Sequence, residues 1–206
     1  MVEAARQTGA IVVDGATGYV GSHLVHALVK SGHQVRCLVR PQSRLADTQF
    51  LEQTGARVYH ADLERGSSVL AEALSGAACA VHLIGSIAPR KGEKFEDLHA
   101  GQTAELIAAC QKSGVPKIVL LTALGSDADA ASAYHRTKFQ SEQLVAKSGL
   151  QFVILRPSLI VGRQVGSRDS KLVSRYRKMI IEKSGIPLIN GGANKLQPVF
   201  VGDLTA

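Results

Sequence analysis

The sequence predicts a doubly wound α/β fold, a parallel sheet with helices packed on both faces. Short apolar runs alternate with longer stretches of helical periodicity, the pattern of consecutive βαβ units with right-handed crossovers. Hydrophobic residues make up 45% of the chain, aromatics only 4%, and Trp is absent. The core is therefore aliphatic, as a sheet buried on both faces requires. A length of 206 residues suffices for one well-buried domain and is short for two ordinary ones.

The elements follow in order. Ala10 to Val13 is a short apolar run leading into glycine, the first strand. Val20, Leu24 and Leu28 recur at helical spacing, and Gly32 stops that helix. Val35 to Val39 is the second strand, Leu45 to Gln53 a weakly patterned helix, and Arg57 to His60 the third strand. Val69, Leu70, Ala73 and Leu74 share a helical face that Gly76 closes. Ala78 to Ile84 is expected as the fourth strand and Phe95 to Ser113 as one long helix stopped by Gly114. Lys117 to Leu121 is the fifth strand, Ala131 to Ser148 a helix ended by Gly149, and Phe152 to Leu155 a sixth strand cut off by Pro157. Near the end, Pro198 to Leu204 looks like a strand entering a helix whose N-cap is Asp203. There are no repeats and no low-complexity tract. The expectation is one domain over residues 1–206, with a core over 9–162 and, from 163, the start of a C-terminal substrate lobe that is cut short.

The first chemistry-bearing motif lies between the first strand and the first helix, Gly15-Ala16-Thr17-Gly18-Tyr19-Val20-Gly21. Gly15 suits the positive φ of a tight turn, Gly18 lets a pyrophosphate approach the backbone, and Gly21 lets the helix pack closely. The helix N–H groups then face phosphate. A strand before and a helix after this G-x-x-G-x-x-G run give the context a dinucleotide-binding loop requires. The second strand ends in Val39-Arg40. An acid there would bind a ribose 2′-hydroxyl; Arg40, helped by Arg44, instead suits a 2′-phosphate, so NADP(H) is preferred and NAD(H) is the alternative.

A second constellation is Tyr134 and Lys138, four residues apart on the helix after the fifth strand and hence on one face. Tyrosine titrates near 10, too high for acid–base work at neutral pH; lowering it by roughly three units requires about 4 kcal/mol of preferential phenolate stabilisation. A lysine cation and a hydroxyl partner would supply part of it. Thr122, at the end of the fifth strand, is the first candidate hydroxyl and Ser126 the second. His82 and His99 are read as core or helix-face histidines. No metal-ligand spacing is present. Cys37, Cys79 and Cys110 are far apart and read as reduced core thiols.

Taken together, these residues resemble the short-chain dehydrogenase/reductase superfamily, in its extended and atypical, epimerase/dehydratase-like branch, over nearly the whole chain. The resemblance implies a Rossmann-type domain with Gly15, Thr17, Gly18, Tyr19, Val20, Gly21 and Arg40 on the cofactor. It adds Asp62 and Leu63 beside adenine, Leu83, Ile84 and Gly85 at the fourth-strand end, and Lys138 and Pro157 beside the nicotinamide. It implies Thr122, Tyr134 and Lys138 as catalytic, with Glu142 on the same helix and Arg156-Pro157-Ser158 following. Many members carry Ser-Ser where this chain has Thr122-Ala123, and Asn where it has His99. The local wording is also similar to relatives of the accessory NADPH-binding subunit of respiratory complex I, a subgroup that holds cofactor without known turnover. Two functions follow. One is an NADP-dependent oxidoreductase or epimerase-like enzyme acting on a small carbonyl or hydroxyl substrate. The other is a non-catalytic NADPH-holding structural, assembly or redox-sensing protein.

The net charge is +7. Between Arg163 and Lys183 seven basic residues stand against two acidic ones. Ser170 to Lys183 reads as an amphipathic helix with Leu172, Tyr176, Met179 and Ile180 on one face and Lys171, Arg175 and Lys178 on another. This segment is the candidate contact for an anionic membrane surface or a protein partner; nucleic acid is not expected. Met1 to Thr8 lacks the apolar run of a secretory signal. The expectation is a cytoplasmic protein, perhaps peripheral at a membrane.

Overall fold

The computed structural model describes residues 9–63, 67–87, 92–183 and 185–206; the reading of Met1 to Thr8 falls outside them. Six parallel strands form one sheet: β1 (Ala10–Asp14), β2 (Val35–Val39), β3 (Arg57–His60), β4 (Ala77–His82), β5 (Lys117–Leu121) and β6 (Gln151–Leu155). Their order is β3-β2-β1-β4-β5-β6. The winding direction reverses between β1 and β4, which makes this a Rossmann-type sheet.

Strand alternation sorts the core into two layers. Val13, Cys37, Val39 and Val81 point to the face carrying α1 (Tyr19–Lys30) and α2 (Leu45–Gln53), where they meet Val25 and Leu51. Val12, Leu38, Ala80, Ile118 and Leu120 point to the opposite face, toward α3 (Ser68–Leu74), α4 (Gln102–Ser113) and α5 (Ala133–Ala146), packing on Leu74, Leu106, Cys110 and Val145. Cys37, Cys79 and Cys110 are buried free thiols. Burial pushes the Cys37 and Cys110 thiols up to about 12.

The expected apolar stripe of α1 packs less fully than its periodicity implies. Gly21, Ser22 and Val25 are the buried positions, while Val20, Leu24 and Leu28 line a cavity of about 410 Å³ against Val81, Leu121 and Leu155 of the sheet. On the edge strand β6, Phe152, Val153 and Leu155 remain 45%, 46% and 38% exposed.

Three boundaries differ from the sequence reading. β4 ends at His82 instead of Ile84, because the N–H groups of Leu83 and Ile84 turn to the Asp14 carboxylate and leave the ladder. The helix from Phe95 to Ser113 is not uniform: Asp97–Gly101 is a π turn preceding α4. Gly114, at φ +70°, closes α4 as expected. Near the end, β7 (Ile160–Val161) pairs with β8 (Val199–Phe200) in a small second sheet, then α6 (Lys171–Lys183) having intervened, α7 (Val201–Leu204) begins on Phe200 as N-cap. Asp203 is thus in the first turn of α7 and not its cap; the fully buried Val201 anchors the earlier start.

No helix among the described residues is long and apolar enough to cross a membrane. The core predicts a mutational contrast. Leu120→Ala, at a fully buried position, lowers the unfolding free energy by about 3 kcal/mol. Phe152→Thr, on the open face of β6, changes it by no more than about 0.5 kcal/mol. Urea denaturation of the two variants beside the parent chain measures both.

Candidate functional site

The sheet reversal places a crevice at the carboxyl ends of β1 and β4, where open α/β sheets bind ligands. The β1–α1 loop forms one lip. Gly15 sits at φ +62°, and the N–H of Gly18 donates to its carbonyl at 2.8 Å. A Cβ on Gly21 would collide with the Gly15 carbonyl oxygen and lie 2.7 Å from Ala16 Cα. The close packing expected of Gly21 is therefore between helix and loop. Gly18 caps α1 without a side chain, and the first turn holds no acid. The first N–H groups of α1, around Tyr19 and Val20, are left without a built-in acceptor, an arrangement that fits a phosphate. Thr17 is half-buried in the same loop.

Arg40 is half-buried just beyond β2. Arg44 is engaged elsewhere: its Nε and Nη2 donate to the buried Asp47 carboxylate, each at 3.1 Å, and Nη2 also to Ser167. Its expected help to Arg40 is thus contested by a carboxylate three residues on. Asp62 is half-buried beyond β3, and Leu63 is packed into the core.

The other lip is the segment after β4. Leu83 and Ile84 are half-buried and Gly85 is exposed. Lys138, on α5, is 3% exposed and reaches this segment: Nζ donates to Ile84 O at 3.0 Å and Leu121 O at 3.2 Å. A Cβ on Gly85 would lie 2.6 Å from that Nζ. Burial pulls the Lys138 ammonium down to about 8, while Asp14 and Glu142 oppose the shift.

Tyr134 is half-buried on the same helix, its ring edge-on to those of His99 and Phe95 at centroid distances of 5.4 and 6.3 Å. The expected phenol drawn down toward neutrality is not what these surroundings produce. Burial raises it. Thr122 is also differently engaged from the expectation. Its hydroxyl donates to Glu142 Oε1 at 2.6 Å. Arg156 in turn holds both Glu142 oxygens, through Nε at 2.9 Å and through Nη2. The Thr122 proton is therefore committed to a carboxylate that braces β5, α5 and the β6 end. Ser126, 2% exposed, gives its hydroxyl to Ala123 O at 2.8 Å. Pro157 follows Arg156, its carbonyl accepting from Leu124 N at 2.9 Å.

Two histidines and an acid that sequence reasoning left out of the site lie within this polar layer. His99, with none of its surface exposed, donates from Nδ1 to Thr137 Oγ1 at 2.8 Å and accepts from Ser86 N at Nε2 at 3.4 Å. Burial and the Lys138 charge push it down to about 3, so it is neutral. His82 Nδ1 donates to Asp14 Oδ2. The signal available in sequence was an acid closing an otherwise apolar strand, since a carboxylate there is buried and needs donors. Among the described residues no group of three or more His, Cys, Asp or Glu is placed to hold a metal.

Comparison with known proteins fits this geometry. Residues 15–177 match the family model described as NAD(P)H-binding. The mitochondrial NADH dehydrogenase (ubiquinone) 1 alpha subcomplex subunit 9 of Arabidopsis thaliana is 27% identical over 198 residues, covering 94% of this chain and 48% of that protein. The photosystem II assembly factor Ycf39 of Cyanophora paradoxa is 31% identical over 146 residues, covering 71% and 44%. The chain thus spans about half the length of these curated relatives. The solved structure of a Thermotoga maritima UDP-glucose 4-epimerase with UDP-glucose superposes with a TM-score of 0.78 at 18% identity, over 95% of this chain and 71% of that one, which shows a shared fold.

The neutral His99 yields a pH prediction. Folded, it titrates at about 3; unfolded, histidine titrates near 6.5. Across that window the unfolded state binds more protons, so His99 costs the native state stability as pH falls from about 6.5 toward 3, by up to about 1.4 kcal/mol per unit. His99→Gln removes that contribution. Urea unfolding at several pH values from 6.5 to 4.5 should show a shallower acid slope in the variant; parallel curves would contradict the assignment.

Proposed function

The chain belongs to the NAD(P)H-binding family, and from that premise we propose that it holds NADP(H) across the β1–β4 crevice as a cofactor-loaded structural, assembly or redox-sensing protein. The pyrophosphate lies on the open N-terminus of α1, with the adenosine half toward Arg40 and the nicotinamide half toward 83–85 and Lys138. Arg40 supports NADP(H) over NAD(H), because a cation at the end of β2 matches a 2′-phosphate. The observation that carries the holding role is the Thr122 hydroxyl, whose proton is given to Glu142 and so is not offered to a substrate carbonyl. The raised phenol of Tyr134 agrees with it. The complex I subunit and the photosystem assembly factor among the relatives are consistent with such a role.

A second reading is favoured by Tyr134 and Lys138 lying on one face of α5 beside the crevice. In an NADP-dependent oxidoreductase or epimerase-like enzyme the nicotinamide supplies or accepts hydride. Tyr134 would then pass a proton to or from the substrate oxygen, and Lys138 would bind the ribose and favour the phenolate. Residues 163–206 would begin a substrate lobe.

Calorimetry on the parent chain should show NADPH binding at least about tenfold tighter than NADH, a gap of about 1.4 kcal/mol, and Arg40→Asp should shrink or invert it. A carbonyl panel with NADPH should give no turnover above the buffer rate. Turnover that falls roughly 10²-fold in Tyr134→Phe would instead establish the enzyme.

The basic helix α6 is assigned a partner on the same footing, an anionic membrane surface that it meets from a cytoplasmic position. Val173, Ile180 and Ile181 are 46%, 53% and 69% exposed beside Arg175, Arg177 and Lys178, a combination suited to the interfacial plane of a bilayer. The side chains of Lys171 and Leu172 lie outside the description. Each basic residue is worth about 1 kcal/mol near such a surface. Co-sedimentation with anionic vesicles at low salt should be lost at high salt and in the triple variant Lys171→Gln, Arg175→Gln, Lys178→Gln. Failure of the parent chain to pellet at low salt contradicts the assignment.

A further inference from the structure

Asp14 closes β1, directly after Val12 and Val13, and its side chain is 1% exposed. Strand formation does not call for an acid at this position; valine or threonine would extend the run. An unanswered carboxylate in such a place costs several kcal/mol. Its donors all come from the opposite lip of the crevice. Oδ1 accepts the N–H of Leu83 at 2.7 Å and of Ile84 at 3.2 Å, and Oδ2 accepts from His82 Nδ1. A carboxylate accepting two backbone N–H groups and an imidazole N–H has bonds that are shorter and stronger than neutral ones.

The two lips also touch. A Cβ on Gly15 would lie 2.9 Å from the carbonyl carbon of Leu83 and 3.0 Å from the nitrogen of Ile84. From its other side the 83–86 segment is held by Lys138 on Ile84 O and by His99 on Ser86 N. One residue, Ile84, therefore gives its N–H to Asp14 and its carbonyl to Lys138. Displacing the acid would move the acceptor that fixes the ammonium. Asp14 is also one of the two charges that favour the ammonium form of Lys138.

We propose that Asp14, seconded by His82, is a cofactor-positioning residue: its carboxylate clamps the lip after β4 to the glycine lip and so sets the part of the crevice that takes the nicotinamide half of the dinucleotide. The assignment rests on the cofactor reading above. It makes a distinction that a general loss of packing would not. The sheet order puts β2 and β3 on one side of the crevice and β4 and β5 on the other. The adenosine half lies on the first side, over Arg40, and the clamp acts on the second.

The test is calorimetric titration of the 206-residue chain with NADPH and, separately, with adenosine 2′,5′-bisphosphate, which carries only the adenosine half. Asp14→Asn keeps the volume and removes the charge. It should weaken NADPH at least tenfold while changing the bisphosphate less than twofold. His82→Leu removes one donor and leaves both backbone bonds; the same split should appear at threefold or more, and this variant decides the matter if Asp14→Asn does not fold. His82→Asn, which retains an N–H donor, should restore NADPH affinity to within about twofold of the parent. A parent chain that binds neither ligand overturns the cofactor reading and the clamp with it. A parent that binds both, with losses in folded variants that are absent or equal for the two ligands, overturns the clamp alone.

Discussion

A buried carboxylate has to be answered, and the way Asp14 is answered organises the carboxyl edge of this sheet. Its two oxygens take the N–H groups of Leu83 and Ile84 and the imidazole of His82. β4 consequently leaves the ladder at His82, and the following segment turns across the end of β1. That turn supplies the carbonyl on which Lys138 rests. Lys138 in turn fixes α5 against the strand ends, where Thr122, Glu142 and Arg156 form a second buried polar bridge. The crevice and the helix that overlooks it thus follow from the neutralisation of one charge. Most of this polar layer is nearly inaccessible to water: His99, Thr103, Thr137 and Ser141 are each no more than 1% exposed. In such surroundings each satisfied bond rigidifies its neighbours and each unsatisfied one is expensive.

The fold was legible because its signals are local. β2, α2, β3 and β5 begin and end at the residues that apolar runs and their punctuation indicate, and Gly114 stops its helix in the left-handed conformation that the absence of a side chain permits. The glycine loop was legible for the same reason, since strand, turn and helix are contiguous there. The site was legible only in part. Tyr134 and Lys138 share a face because helix periodicity requires it, but what surrounds them comes from distant chain. Thr122 was taken for a free hydroxyl because its acceptor is 20 residues away on another element. The Asp14–His82 pair spans 68 residues, and no periodicity connects them. Arg44 and Asp47, by contrast, are three residues apart, so their competition for the 2′-phosphate region was visible in the sequence and went unread.

The same scaffold accommodates both functional readings, because a dinucleotide-binding crevice and a catalytic centre place different demands on it. Holding a cofactor needs the glycine lip, an uncapped helix terminus and a cation at the end of β2, all of which are contiguous features. Chemistry also needs a proton donor whose acidity is tuned and a hydroxyl left free to orient substrate. In this chain the phenol is raised by its apolar surroundings and the hydroxyl of Thr122 braces Glu142. Buried polar groups spent on bracing stabilise a geometry but give up their protons to do so, and that trade separates a binding domain from an enzyme on one fold.

The π turn at Asp97–Gly101 carries a consequence for how such a chain varies. A π turn holds one residue more than the α turn it replaces, and each residue advances a helix by about 100°. The turn therefore absorbs a single-residue insertion: His99 is aimed at Thr137 and Ser86, while Leu106, Ile107 and Cys110 downstream stay on the core. A lineage that deletes one residue between 97 and 101 regains an ordinary helix and keeps its packing, yet loses the imidazole from beneath Tyr134. Gain and loss of one codon at this place edits the site and spares the fold.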